Sequence, residues 1–203
     1  MAHLLDLDGA SPTLAGGVFV APTAVLAGDV RVGERASIWF GAVLRGDSSW
    51  IEIGPEASIQ DTAVIHCAKG LPTVIGARVT IGHGALLEGC VIEDGALIGM
   101  GAIVLQRAVV RAGALVAAGA VVPERAEIGA GMLAVGVPAR ERGPLSGSAA
   151  AWTAHAVDEY QAYRVRYLSA LGRDQQGDER ARAQLARVSG SPEPPRAADG
   201  GRS

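Results

Sequence analysis

The chain has 203 residues, a net charge of −3, and is 49% hydrophobic but only 4% aromatic. The weak negative charge gives nucleic acid or an anionic membrane no basic face to bind, and no stretch approaches the roughly 18 apolar residues of a membrane-spanning helix. The N-terminus lacks a basic, apolar leader, so Cys67 and Cys90 are expected to be free thiols in the cytoplasm.

Residues 1–19 form an N-terminal segment outside the main pattern. From Val20 an aliphatic residue recurs every sixth position: Val20, Leu26, Val32, Ile38 and Leu44, then Ile53, Ile59 and Ile65, then Ile75, Ile81 and Leu87, and from Ile92 in unbroken steps to Ile128. The residue after the aliphatic is often Gly, and the fifth position is usually small, as at Ala36, Ala57, Ala85 and Ala102. Neither an amphipathic helix nor an alternating strand has a period of six. Three six-residue sides close one triangular turn, and each turn buries its interior only by stacking on its neighbours. The pattern predicts a parallel β-helix over residues 20–140 with about six rungs. The 28 glycines are expected to serve corners that need positive φ.

The repeat breaks three times. Leu44 to Ile53 spans nine residues and holds Arg45-Gly46-Asp47, Ile65 to Ile75 spans ten, and Leu87 to Ile92 spans five. Insertions in a solenoid bulge at corners and often line a site. After Ile92 the repeat runs cleanly and carries little polar chemistry.

Past Pro138 the pattern changes, and a segment at 141–172 is expected to carry a C-terminal helix packed on the prism. Trp152, Ala156, Tyr160, Tyr163, Tyr167 and Leu171 recur at helical spacing and predict its buried face. Residues 173–203, charged and then rich in Pro, Gly and Ser, are expected to be disordered.

Sides three hexads apart lie above one another. Leu44, Ile65 and Leu87 are therefore on one face, and the residues after them, Arg45, His66 and Glu88, point outward in consecutive rungs about 4.8 Å apart. Ile38, Ile59 and Ile81 head the adjacent face, which stacks His83 over Asp61. His83 looks away from His66 and Glu88 around a corner. It meets them only where a second chain packs against the first, as in a head-to-tail trimer that closes.

The strings Gly28-Asp29-Val30, Ser37-Ile38-Trp39, Arg45-Gly46-Asp47, Ile59-Gln60-Asp61, Val64-Ile65-His66, Ile81-Gly82-His83-Gly84, Glu88-Gly89-Cys90 and Gly99-Met100-Gly101 resemble the gamma-class carbonic anhydrase family. The resemblance covers about residues 10–170. It implies a left-handed coil and a homotrimer with zinc, iron or cobalt at each subunit interface, converting CO2 and bicarbonate. His66 matches a metal ligand from one chain and His83 the ligand from its neighbour. The family's third histidine falls on Glu88. Arg45 and Asp47 match an intersubunit ion pair, and Gln60 matches the residue that orients the catalytic water. Asp61 matches a carboxylate beside His83, which would fix the imidazole.

Glu88 leaves three readings open. It is a ligand in a His2Glu set, a known catalytic zinc type. Alternatively it pairs with His66, no metal binds, and the protein is a catalytically silent trimeric scaffold. Thirdly, His66 or His83 is a general base for acyl transfer or thioester hydrolysis, as in other hexapeptide-repeat enzymes. The bland later rungs, such as Ala117-Ala118-Gly119-Ala120, offer an acyl carrier little to grip.

Overall fold

The computed structural model describes residues 2–172; the tail expected to be disordered, 173–203, lies outside the described residues. The chain winds into a left-handed parallel β-helix of about seven turns, followed by one helix. The turn beyond the six counted from the hexads comes from the N-terminus. His3–Leu5 and Thr13–Leu14 both pair in parallel with Val25–Val32, stacking a first coil on the repeat.

The hexad aliphatics form the core. Ile38, Leu44, Ile59, Ile65, Ile81, Ile98 and Val116 are each fully buried. Fully burying one such side chain contributes about 1.5–3 kcal/mol, and the small fifth-position alanines let the three faces close around them. The coils end where Met132–Val135 turns back and pairs antiparallel with Arg140–Pro144. That hairpin replaces the next parallel rung and caps the open end of the solenoid.

The glycines meet the expectation in part: many sit at corners with positive φ, but those of the hexad motif do not. Those following the inward aliphatic, such as Gly54, Gly82 and Gly99, do not lie in the left-handed region. They are small because the next coil passes over them: a Cβ on Gly99 would sit 2.4 Å from the Ala118 nitrogen. Positive φ belongs to a different corner position. Gly84 and Gly101 fill it in some rungs, and Arg35, Glu56, Arg78 and Arg107 fill it in others.

The insertion after Leu44 is absorbed by the strand Val43–Ile53, which bends around a corner of the prism. Its first half pairs with Val64–His66 and its second half with Thr73–Ile75. The repeat therefore stays in register on both sides of the bulge.

The helix, α1, spans Gly147–Ala170, close to the expected span. Its most buried face is not the aromatic one. Thr153, Ala156, Val157, Gln161, Ala162, Arg164 and Val165 are buried, whereas Trp152, Tyr167 and Leu171 stay exposed. Polar side chains decide the docking because the coil corners present backbone carbonyls. Arg164 Nη1 donates to the Gly17 carbonyl at 2.6 Å, and Gln161 Nε2 donates to the carbonyls of Arg35 at 2.9 Å and Glu56 at 3.2 Å. Tyr160 and Tyr167 sit beside this seam, edge-on to Trp39 with ring centroids 5.4 and 5.2 Å away. Among the described residues, no helix is long and apolar enough to cross a membrane.

Candidate metal centre

Stacking brings the first group of polar residues into one column. In the parallel ladder Arg45 lies opposite His66, and His66 lies opposite Glu88. All three follow an inward aliphatic, so all three point away from the core. Arg45 and Asp47 form an ion pair within the chain. Asp47 Oδ1 is also 3.1 Å from His66 Nε2, and His66 Nδ1 is 3.8 Å from Glu88 Oε2. Each imidazole nitrogen therefore faces a carboxylate.

Burial raises the Asp47 carboxyl, but hydrogen bonds from Arg45, His66 and Ser48 outweigh it and hold the group at about 2. A lowered carboxyl stabilises the fold above its unfolded value of 3.8 and loses that contribution as pH falls towards 2. The pair is partly solvated, so it is worth about 0.5 kcal/mol. Asp47→Asn should therefore lower Tm by about 1–2 °C at neutral pH. The difference should shrink as pH falls below about 4 and vanish only in melts run below about pH 2; a constant offset at every pH would contradict the assignment.

The second group lies around the corner. Ser58–Ile59 pairs with Thr80–Ile81, which sets Gln60 and Asp61 beneath Gly82 and His83. His83 Nδ1 is 2.9 Å from Asp61 Oδ2, and the other Asp61 oxygen accepts the Phe40 N–H at 3.2 Å. The carboxylate thus holds the Nδ1–H tautomer and turns Nε2 outward as an acceptor. Gln60 is almost fully buried, and its Oε1 accepts the His83 backbone N–H at 3.2 Å. Among the described residues, no hydrogen bond or ion pair joins this group to the His66–Glu88 column.

Two contacts lay outside the sequence reading. Tyr160 of α1 places its hydroxyl 3.1 Å from His83 Nε2. Burial, with the nearby Asp61 and Glu159 charges, pushes this phenol up to about 12, so it stays protonated and donates. Gln106 Nε2 donates to Glu88 Oε1 at 2.8 Å. The stacking rule carried one rung further would have found the neighbourhood of Gln106, since Ile103–Val104 pairs with Leu86–Leu87. Nothing periodic relates Tyr160 to the prism.

The cysteines differ in setting. Burial pushes the Cys90 thiol up to about 12, which leaves it inert as a nucleophile. Cys67 is buried beside the first group, and its sulfur, an Asp47 oxygen and a His66 nitrogen lie within 4.8 Å of one another. A groove of about 470 Å³ also runs from Gln60 and His83 along α1, walled by Leu97, Met100, Leu115 and Trp152.

No family model matches the chain. It is 50% identical over 105 residues to gamma carbonic anhydrase 3, mitochondrial, of Arabidopsis thaliana, covering 49% of this chain and 41% of that one. It is 52% identical over 87 residues to a probable carbonic anhydrase of Methanocaldococcus jannaschii, covering 43% and 55%. The chain thus spans about half the length of these relatives or less. Protein YrdA of Escherichia coli is 37% identical over 164 residues, 77% of this chain and 89% of that one. Among solved structures, a hexapeptide transferase family protein of Anaplasma phagocytophilum matches with a TM-score of 0.78 at 37% identity, covering 82% and 98%. A putative acetyltransferase of Bacillus cereus gives a TM-score of 0.81 at 34% identity, covering 83% and 98%. The near-complete spans are with hexapeptide-repeat proteins, and the chain belongs to that family, with about half of its length closely similar to gamma-class carbonic anhydrases.

Proposed function

We propose that this protein catalyses reversible hydration of CO2 to bicarbonate at a divalent-metal site completed between protomers of a homotrimer. The observation that carries the reading is the pair of outward half-sites: His66 and Glu88 in register on one face, and a carboxylate-oriented His83 on the next. The residues fit a metal. Two neutralisable imidazoles and a carboxylate are a known donor set for zinc, and iron or cobalt also suits them. His66 Nδ1 and Glu88 Oε2 are near enough to share one ion.

When bound, the ion supplies Lewis acidity that makes a water nucleophilic near neutral pH. Gln60 is fixed through its Oε1, and its side-chain amide N–H groups, which have no hydrogen-bond partner among the described residues, are left to orient that water or CO2. Asp61 holds the His83 tautomer, and Tyr160 must release Nε2 before His83 can ligate. Glu88 in place of an imidazole removes one positive charge from the centre, so hydration is favoured by alkaline pH. The two free buried thiols support a reducing compartment such as the cytoplasm.

Complementation between subunits tests the shared site. His66→Ala and His83→Ala should each abolish metal uptake and hydration. Co-refolding the two variants should restore about a quarter of wild-type activity, because about three-quarters of random trimers are mixed and each regains one site in three. No recovery from verified mixed trimers would exclude a site shared in this way. The acyl-transfer reading has one observation in its favour, the apolar groove beside His83 along the rungs that read as bland. Thioester turnover without metal would select it.

A further inference from the structure

We propose that Gln106 is a positioning residue that makes Glu88 a single-oxygen ligand; this rests on the shared metal site above. A glutamate side chain has several rotamers and two equivalent oxygens, so alone it presents no fixed donor. Here the two oxygens are distinguished. Oε1 accepts the Gln106 amide at 2.8 Å, and Oε2 faces His66 Nδ1 at 3.8 Å.

The backbone is arranged for this bond. Gln106 sits one coil beyond Glu88, where the Arg107 N–H donates to the Gly89 carbonyl at 2.7 Å. A Cβ on Gly89 would lie 3.4 Å from Gln106 Cγ, an ordinary contact distance, so the glutamine stem passes close over this turn on its way to the carboxylate. Thr73 then ties the rung of Glu88 to that of His66. Its hydroxyl donates to the His66 carbonyl at 2.5 Å and accepts the Gly89 N–H at 2.8 Å. His66, Thr73, Glu88 and Gln106 form one braced unit across three coils. The side-chain amide occupies one carboxylate oxygen and leaves the other to a cation.

The test is a double-mutant cycle read by Co2+ titration of the full-length trimer, followed by its visible spectrum. Gln106→Leu should weaken Co2+ binding about tenfold in the wild type, the usual scale for a residue that orients a ligand. In the Glu88→His background it should change affinity less than about threefold. Equal losses in both backgrounds would show a merely structural role and overturn the proposal. No loss in the wild type would overturn it too. A second readout separates this from failure of the underlying function. In metal-free protein the Gln106 side-chain amide resonances should shift when Glu88 is changed to Ala. If the wild type takes up no cobalt, the shared metal site falls. The resonance then still decides whether Gln106 holds Glu88: a shift supports the hold, and none overturns it.

Discussion

Replacing Glu88 by histidine is expected to raise divalent-metal affinity and to speed CO2 hydration at neutral pH. Glu88 stands directly above His66 in the parallel ladder, so a histidine there would present a second imidazole to the same point. The change restores one positive charge to the centre. In an all-histidine zinc site the activated water has a pKa of about 7. Each unit by which that pKa falls towards neutrality raises the reactive fraction, and hence the rate at pH 7, by about tenfold. The pH profile should move to the acid side while the limiting rate at high pH changes less. Stopped-flow hydration assays across pH, paired with metal analysis, measure both effects. An unchanged profile and unchanged metal content would show that Glu88 does not occupy a ligand position.

Gly54→Ala is expected to be the more damaging change to the fold, although it adds one methyl group. The new Cβ would lie 2.4 Å from the carbonyl carbon of Gly76 and 2.5 Å from the nitrogen of Ala77. Both are backbone atoms of the next coil. They cannot retreat while Gly54 N–H donates to the Ile75 carbonyl at 2.7 Å. Overpacking against backbone should cost about 3 kcal/mol, a Tm loss of roughly 6–12 °C for a protein of this size. Gly95→Ala is the comparison. Gly95 has a φ of +67° and nothing within 4 Å of its would-be Cβ. Only the left-handed backbone penalises that change, by about 1 kcal/mol. Thermal melts that rank the two equally would refute the close-approach account of the hexad glycine.

The period of six is enough to read the coil, to line up Arg45, His66 and Glu88, and to set His83 over Asp61. In a solenoid, position along the chain converts directly into position in space: every side rests on the side three hexads earlier, and insertions shift the count without shifting the stack. The extra N-terminal turn escaped because the ten residues from Leu4 to Leu14 break the period, although Leu14 itself lies six residues before Val20 and stacks on Val32.

What only the tertiary structure decided lies off that lattice. The face of α1 that docks is set by Gln161 and Arg164 reaching corner carbonyls, a choice invisible to an aromatic periodicity. The capping of His83 by Tyr160 follows from that docking across 77 residues of sequence. The hold of Gln106 on Glu88 depends on which way two flexible side chains turn. The repeat is a one-dimensional code written in backbone pairing, so sequence alone determined the coil and its columns. Rotamers and helix docking depend on packing in three dimensions, so those contacts were decided only when the chain had folded.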